Sequence, residues 1–124
     1  FDVVTSTACI EHAFDVYHLF RECNRVLKDG GYFYFTVPNI AYIKHRIRLL
    51  FGRIPVTASS IDLWWRDYWD GTHIHYFTAE SLRMLCSQSG FQVLDITGSG
   101  KYRQFRAWWP TLLCGDLIVT AKKI

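Results

Sequence analysis

The sequence predicts an α/β fold opened by a parallel strand-helix-strand unit, and three observations lead to it. Phe1–Thr5 and Tyr32–Val37 are short β-branched and aromatic runs, the second stopped by Pro38. Between them Val16, Tyr17, Phe20, Cys23, Asn24 and Leu27 recur at helical spacing. Beyond a middle segment the alternation resumes, with Leu82, Leu85 and Cys86 on one helical side and apolar runs at Phe91–Thr97 and Asp116–Ala121. The expected order is strand, helix, strand, insert, helix, strand, strand. The last two strands are read as an antiparallel pair, because no helix fits between them.

Each element has a local cause. Phe1–Thr5 is apolar and β-branched and reads as a buried strand. Asp15 can cap the first helix, and Lys28-Asp29-Gly30-Gly31 closes it, with Gly30 free to adopt the left-handed conformation. Tyr32–Val37 suits a strand covered on both faces. Thr78 caps the later helix and Gly90 ends it. Gly98 to Thr111 reads as a loop. Residues 40–76 break the pattern and form an insert. There Ile40, Ile43, Ile47 and Leu50 share a helical face opposite Lys44, His45 and Arg48, with Gly52 and Pro55 as the stop. This basic amphipathic helix either packs its stripe on the sheet layer or forms a lid over an anionic or lipid-linked substrate. Trp64, Trp65, Tyr68 and Trp69 follow, to wall a pocket or to pack the insert.

Composition bounds the class. With 124 residues, 50% hydrophobic and 20% charged, the chain is one globular domain over 1–124 and is not disordered. It opens at Phe1 and its single methionine is Met84, so it is expected to be a piece or a processed form. The formal net charge of +3 is concentrated in the middle segment, without the long basic runs a nucleic-acid binder uses. No apolar run approaches the roughly 20 residues of a membrane span. Cys9, Cys23, Cys86 and Cys114 include no Cys-x-x-Cys pair and read as reduced, buried thiols of a cytoplasmic protein.

Chemistry is expected where parallel strands end, because side chains and helix N-termini converge at that rim. Three segments qualify: Thr7-Ala8-Cys9-Ile10-Glu11-His12, Val37-Pro38-Asn39 and His73-Ile74-His75-Tyr76-Phe77-Thr78. His73 and His75, with Glu11 or His12, could make a metal site, but His-x-His is a low-specificity signal and capped, hydrogen-bonded histidines are the expected reading. Gly98-Ser99-Gly100 is a turn, since the third glycine of a dinucleotide fingerprint is replaced by Arg103. No Gly-x-Ser-x-Gly elbow exists to anchor a hydrolase triad.

The motifs Phe1-Asp2-Val3-Val4, Ile10-Glu11-His12, Arg25-Val26-Leu27-Lys28-Asp29-Gly30-Gly31, Val37-Pro38-Asn39, His73-Ile74-His75-Tyr76-Phe77-Thr78 and Ser89-Gly90-Phe91 together resemble class I S-adenosylmethionine-dependent methyltransferases. The nearest group is that of the ubiquinone-biosynthesis and methionine-biosynthesis W proteins. The resemblance implies the carboxyl-terminal half of a Rossmann-like seven-stranded sheet, strands four to seven, with the last strand antiparallel. The glycine-rich turn and the acidic residue that holds the cofactor ribose would lie in the other half, so this chain alone is expected to be inactive and not to bind S-adenosylmethionine. It further implies that Thr7, Ala8, Cys9, Glu11 and His12 approach the cofactor. Pro38, Asn39, Trp65, Tyr68, Trp69, His73, His75 and Tyr76 would approach the acceptor. His75, followed by His73 and His12, is the candidate base. Some relatives hold a divalent metal through an acid three places before the Glu-His pair; Ala8 stands there, and no metal is expected.

The expected activity is methyl transfer to an oxygen, nitrogen or carbon of a small molecule, phosphorylated, glycan or lipid-linked. The alternatives are a non-catalytic binding or assembly module with the same half-fold and, third, a nucleic-acid methyltransferase, whose Asn/Asp-Pro-Pro-aromatic signature is absent after the second strand. The strand at Phe1–Thr5 is expected to expose an unpaired edge that invites self-association.

Overall fold

The structure, a computed structural model, describes residues 1–57, 70–99 and 103–124, with Arg103 by its backbone alone. Four strands form one sheet: β1 (Val3–Thr7), β2 (Tyr32–Pro38), β3 (Phe91–Gly98) and β4 (Asp116–Lys123). Their spatial order is β1-β2-β4-β3. β1 runs parallel to β2, while β4 is antiparallel to both β2 and β3. The expected α/β class and the antiparallel last strand are therefore both present.

The helices are α1 (Val16–Val26), α2 (Ile43–Leu50), α3 (Ala79–Gln88), α4 (Arg103–Arg106) and α5 (Pro110–Leu113). Asp15 caps α1 by accepting from the His18 amide. Thr78 and Ser81 close a reciprocal capping box on α3. Both start where the sequence places them, because a cap is a contact between residues three apart and needs no tertiary partner.

One face of the sheet carries the core. Register sets Phe33 opposite Ala121, Phe35 opposite Val119 and Val37 opposite Leu117, so all six point to one side. Phe20 of α1 lies edge-on to Phe33 and Phe35 with centroids 5.4 Å apart, and Leu82 and Cys86 of α3 join the same cluster. In β3 an extra residue, Leu94, falls between Val93 and Asp95. This bulge lets Phe91 and Val93 before it, and Ile96 and Gly98 after it, serve the same face, which strict alternation forbids.

Several expectations change. Among the described residues β1 has β2 as its single neighbour, and Val3, Thr5 and Thr7 are exposed where a buried strand was expected. β2 is covered on one face only: Tyr32 and Tyr34 are exposed and stack on the other. Gly30 does have a positive φ of 76°, but α1 has ended at Val26 and Leu27 is extended. The glycine serves the tight turn that feeds β2. Ile40 leaves the α2 stripe because its amide bonds to the Phe77 carbonyl. The stretch read as a loop holds α4 and α5, the latter begun by Pro110 at its first turn. Cys86 and Cys114 are buried, Cys23 is half-buried and Cys9 is exposed, so the expectation of four buried thiols fails at Cys9. Burial pushes the Cys86 thiol up to about 12. Among the described residues no helix is long and apolar enough to cross a membrane.

Candidate active site

The carboxyl ends of β1 and β2 open onto one rim. After Thr7 the chain reverses at Ala8, whose φ of 48° is in the left-handed region that non-glycine residues rarely adopt. The Ala8 amide donates to Thr36 Oγ1 of β2 at 3.3 Å. This turn leaves Thr7, Ala8 and Cys9 exposed and leads into a 3-10 turn at Ile10–His12 that buries Glu11. Across the rim, Asn39 bridges to Phe77 in parallel fashion, which brings the segment before α3 against β2. The amides of Ile74 and His75 both donate to the Glu11 carbonyl. All three segments expected at the rim are thus joined by backbone hydrogen bonds.

Two histidines converge on Glu11. His12 Nδ1 lies 2.8 Å from the Thr72 carbonyl, which only accepts, so Nδ1 carries the proton and Nε2 the lone pair. The Thr57 hydroxyl donates to Asp70 Oδ2, so His73 Nδ1 donates to Thr57 Oγ1 and its Nε2 is also left with a lone pair. Both Nε2 atoms stand 4.0 Å from Glu11 Oε1, and the ring centroids are 4.8 Å apart. Glu11 Oε2 is buried without a hydrogen-bond partner. Three acceptor atoms facing one another are reconciled by a proton on one imidazole or by a cation. Among the described residues, Glu11, His12 and His73 are the group able to hold a metal ion, with ligand atoms all within 4.8 Å of one another.

Asp70 supports this cluster from behind and was not singled out from the sequence, although its spacing of three before His73 was there to see. Burial raises its carboxyl. The Thr57 hydroxyl and amide, the His73 ring and the Thr72 hydroxyl outweigh that and hold it below the usual carboxylate range. A depressed folded value means stability that is present above the ordinary pKa of 3.8 and lost as pH falls through the folded one. Thermal melts from about pH 5 down to about pH 2 should therefore show an acid limb that Asp70→Asn flattens. An unchanged limb would remove Asp70 from the cluster.

The remaining expected residues divide. Asn39 is fully buried and donates its side-chain amide to the carbonyls of Thr111 and Cys114 at 2.7 and 2.8 Å, while its Oδ1 accepts from Ala41. Both of its donors are occupied by backbone, so it ties β2 to the α5–β4 connection. Asn39→Ala is expected to cost about 1–3 kcal/mol by stranding buried carbonyls, measured as a lowered denaturation midpoint. Pro38 is half-buried beside it. His75 points away from His73: it lines a groove of about 390 Å³ with Phe14, Tyr17, Tyr76 and Met84, and its Nε2 is buried without a partner. The bends over residues 71–74 separate two histidines that a regular strand would have aligned. Trp64, Trp65, Tyr68 and Trp69 lie outside the described residues.

A family model described as a methyltransferase domain matches residues 1–96. No curated protein matches the sequence. Among solved structures, an S-adenosylmethionine-dependent methyltransferase from Mesorhizobium loti superimposes with a TM-score of 0.65 at 18% identity, over 99% of this chain and 62% of that one. A methyltransferase from Methanosarcina mazei gives 0.62 at 20% identity over 100% and 59%. One from Thermotoga maritima gives 0.64 at 15% over 100% and 56%. The chain spans 56% to 62% of the lengths of these three relatives, and at such identities the likeness concerns the fold. The family match is independent of that likeness and takes in β1, the Glu11-His12 turn, β2, the His73 segment and α3; the chain belongs to the methyltransferase-domain family.

Proposed function

We propose that the protein transfers a methyl group from S-adenosylmethionine to a small-molecule acceptor, and that this chain supplies the acceptor-side rim of the site. The observation that carries the reading is the convergence of His12 and His73 on buried Glu11 beside the strained turn at Ala8. A purely structural or assembly role gives no reason to gather these groups at a strand end, where ligands of α/β sheets bind.

When bound, the cofactor supplies a methyl group on a sulfonium, so that the leaving group departs as a neutral thioether. Exposed Thr7, Ala8 and Cys9 fit its approach, since the left-handed turn presents backbone and small side chains to a ligand. In this reading Glu11, buried beside the two rings, acts through the histidines. His12 is the base: its side chain is 45% exposed against 7% for His73, and the Thr72 carbonyl fixes its Nδ1–H so that Nε2 is free to take the proton the acceptor loses. Glu11 stabilises the imidazolium that results. His73, held by Thr57 and Asp70, is a positioning residue. The groove that His75 and Tyr76 line is assigned to the part of the acceptor remote from the reacting atom, since neither His12 nor His73 lines it.

Calorimetry with S-adenosylmethionine tests the reading. The complete protein is expected to bind with a micromolar dissociation constant and the 124-residue chain alone to give no measurable heat. No binding by the complete protein would overturn the function. Binding by the chain alone would overturn the division of labour. The converging ligand atoms favour one second reading, in which a divalent cation held by Glu11, His12 and His73 orients the acceptor. Turnover abolished by EDTA and restored by a divalent metal would select it over the proton-transfer reading.

A further inference from the structure

We propose that the face formed by α2 and the α4–α5 segment docks on the surface of an anionic phospholipid bilayer. The eight residues of α2 include none that is buried. Ile47, Leu49, Leu50, Phe51 and Ile54 are all exposed, Leu50 and Phe51 by 80% and 75%. These side chains do not align as one stripe. They surround the end of the helix, an arrangement that a flat protein partner covers only in part and that fluid acyl chains cover on every side.

A second set of exposed aromatic residues lies on the segment that adjoins the start of α2. Phe105, Trp108 and Trp109 are exposed, and a groove lined by Tyr42, Ile43, Phe105, Arg106 and Leu113 joins their segment to the start of α2. Tryptophan with one wet edge and one apolar face suits the headgroup boundary.

Charge selects the kind of surface. Lys44, Arg46 and Arg53 are exposed around the apolar side chains, and Arg106 lies in the adjoining groove. No acidic residue occurs in residues 40–57 or 96–115, and the carboxylates that act on α2, through His45, are Asp70 and Asp116. A cationic rim around an apolar centre matches the negative headgroups and hydrocarbon of an anionic leaflet. Because α2 follows directly on the carboxyl end of β2, docking would bring the rim with Glu11, His12 and His73 close to the membrane surface.

The test is co-sedimentation of the protein with vesicles of phosphatidylcholine alone and of phosphatidylcholine with about 30 mol% phosphatidylglycerol. The expected result is at least about tenfold stronger partitioning onto the anionic vesicles, reduced severalfold by high salt. The double variant Leu50→Glu, Phe51→Glu and the separate variant Trp108→Glu should lose binding, while their far-ultraviolet circular dichroism and melting temperature stay unchanged because the sites are exposed. Lys44→Glu with Arg53→Glu should remove the preference for phosphatidylglycerol. Failure of the wild type to sediment with anionic vesicles overturns the proposal, as does binding by the Leu50/Phe51 variant at wild-type strength. If instead that variant converts a dimer to a monomer, or abolishes binding to RNA, while the wild type ignores vesicles, the face serves a second copy of the chain or a nucleic acid and the proposal fails.

Discussion

Replacing His12 by alanine in the complete protein is expected to lower kcat for methyl transfer by about 10²–10⁴, the usual contribution of a positioned general base. KM should change little, since the lost group acts on the proton in the transition state and not on ground-state binding. His73→Ala should leave the base present but less well oriented, with a smaller fall in kcat. His75→Ala is the control that decides the assignment. Its side chain lines the groove with Phe14 and Tyr17 and its Nε2 has no oriented partner, so its loss should act mainly on KM. A fall in kcat of that size in His75→Ala, with kcat retained in His12→Ala, would transfer the base role to His75.

The largest effect on stability is expected from Phe20→Ala. Phe20 is wholly buried, edge-on to Phe33 and Phe35 at 5.4 Å and within 6.4 Å of Phe91. It is the side chain through which α1 reaches both β2 and β3. Truncation removes the apolar contact and leaves a cavity that rigid aromatic neighbours fill poorly, at a cost of about 3–5 kcal/mol. For a domain of this size that is a fall of roughly 10–20 °C in the melting temperature. Tyr34→Ala, on the open face of the same sheet, should cost less than about 1 kcal/mol. Equal losses at the two positions would mean that the open face is covered in solution.

The contrast between Phe20 and Tyr34 also shows how far a linear reading goes. Both belong to runs that sequence identifies as helix and strand. An aromatic run signals a strand and says nothing of how many faces are covered, which depends on what packs there. The same limit applies to α2. Its stripe of Ile43, Ile47 and Leu50 is legible, but among the described residues only Ile43 is partly covered, while Ile47 and Leu50 are exposed, which is visible only in three dimensions. At the site, the rim segments were legible because strand ends are marked by Pro38 and by the polar stretch after Thr5. Asp70 and Thr57 were not, because their significance lies in the hydrogen bonds of Thr57 to Asp70 and His73, partners 13 and 16 residues further along the chain.

By itself the sequence determined α1 and α3 with their caps at Asp15 and Thr78 and the four strands, because these rest on side-chain periodicity and on contacts within a few residues, while its motifs carried the resemblance to the family. Tertiary structure alone decided that β4 lies between β2 and β3, that Leu94 forms a bulge, and that His12 meets the Thr72 carbonyl sixty residues away. Those outcomes depend on which distant surfaces exclude water together, a property of the packed chain that no local spacing encodes.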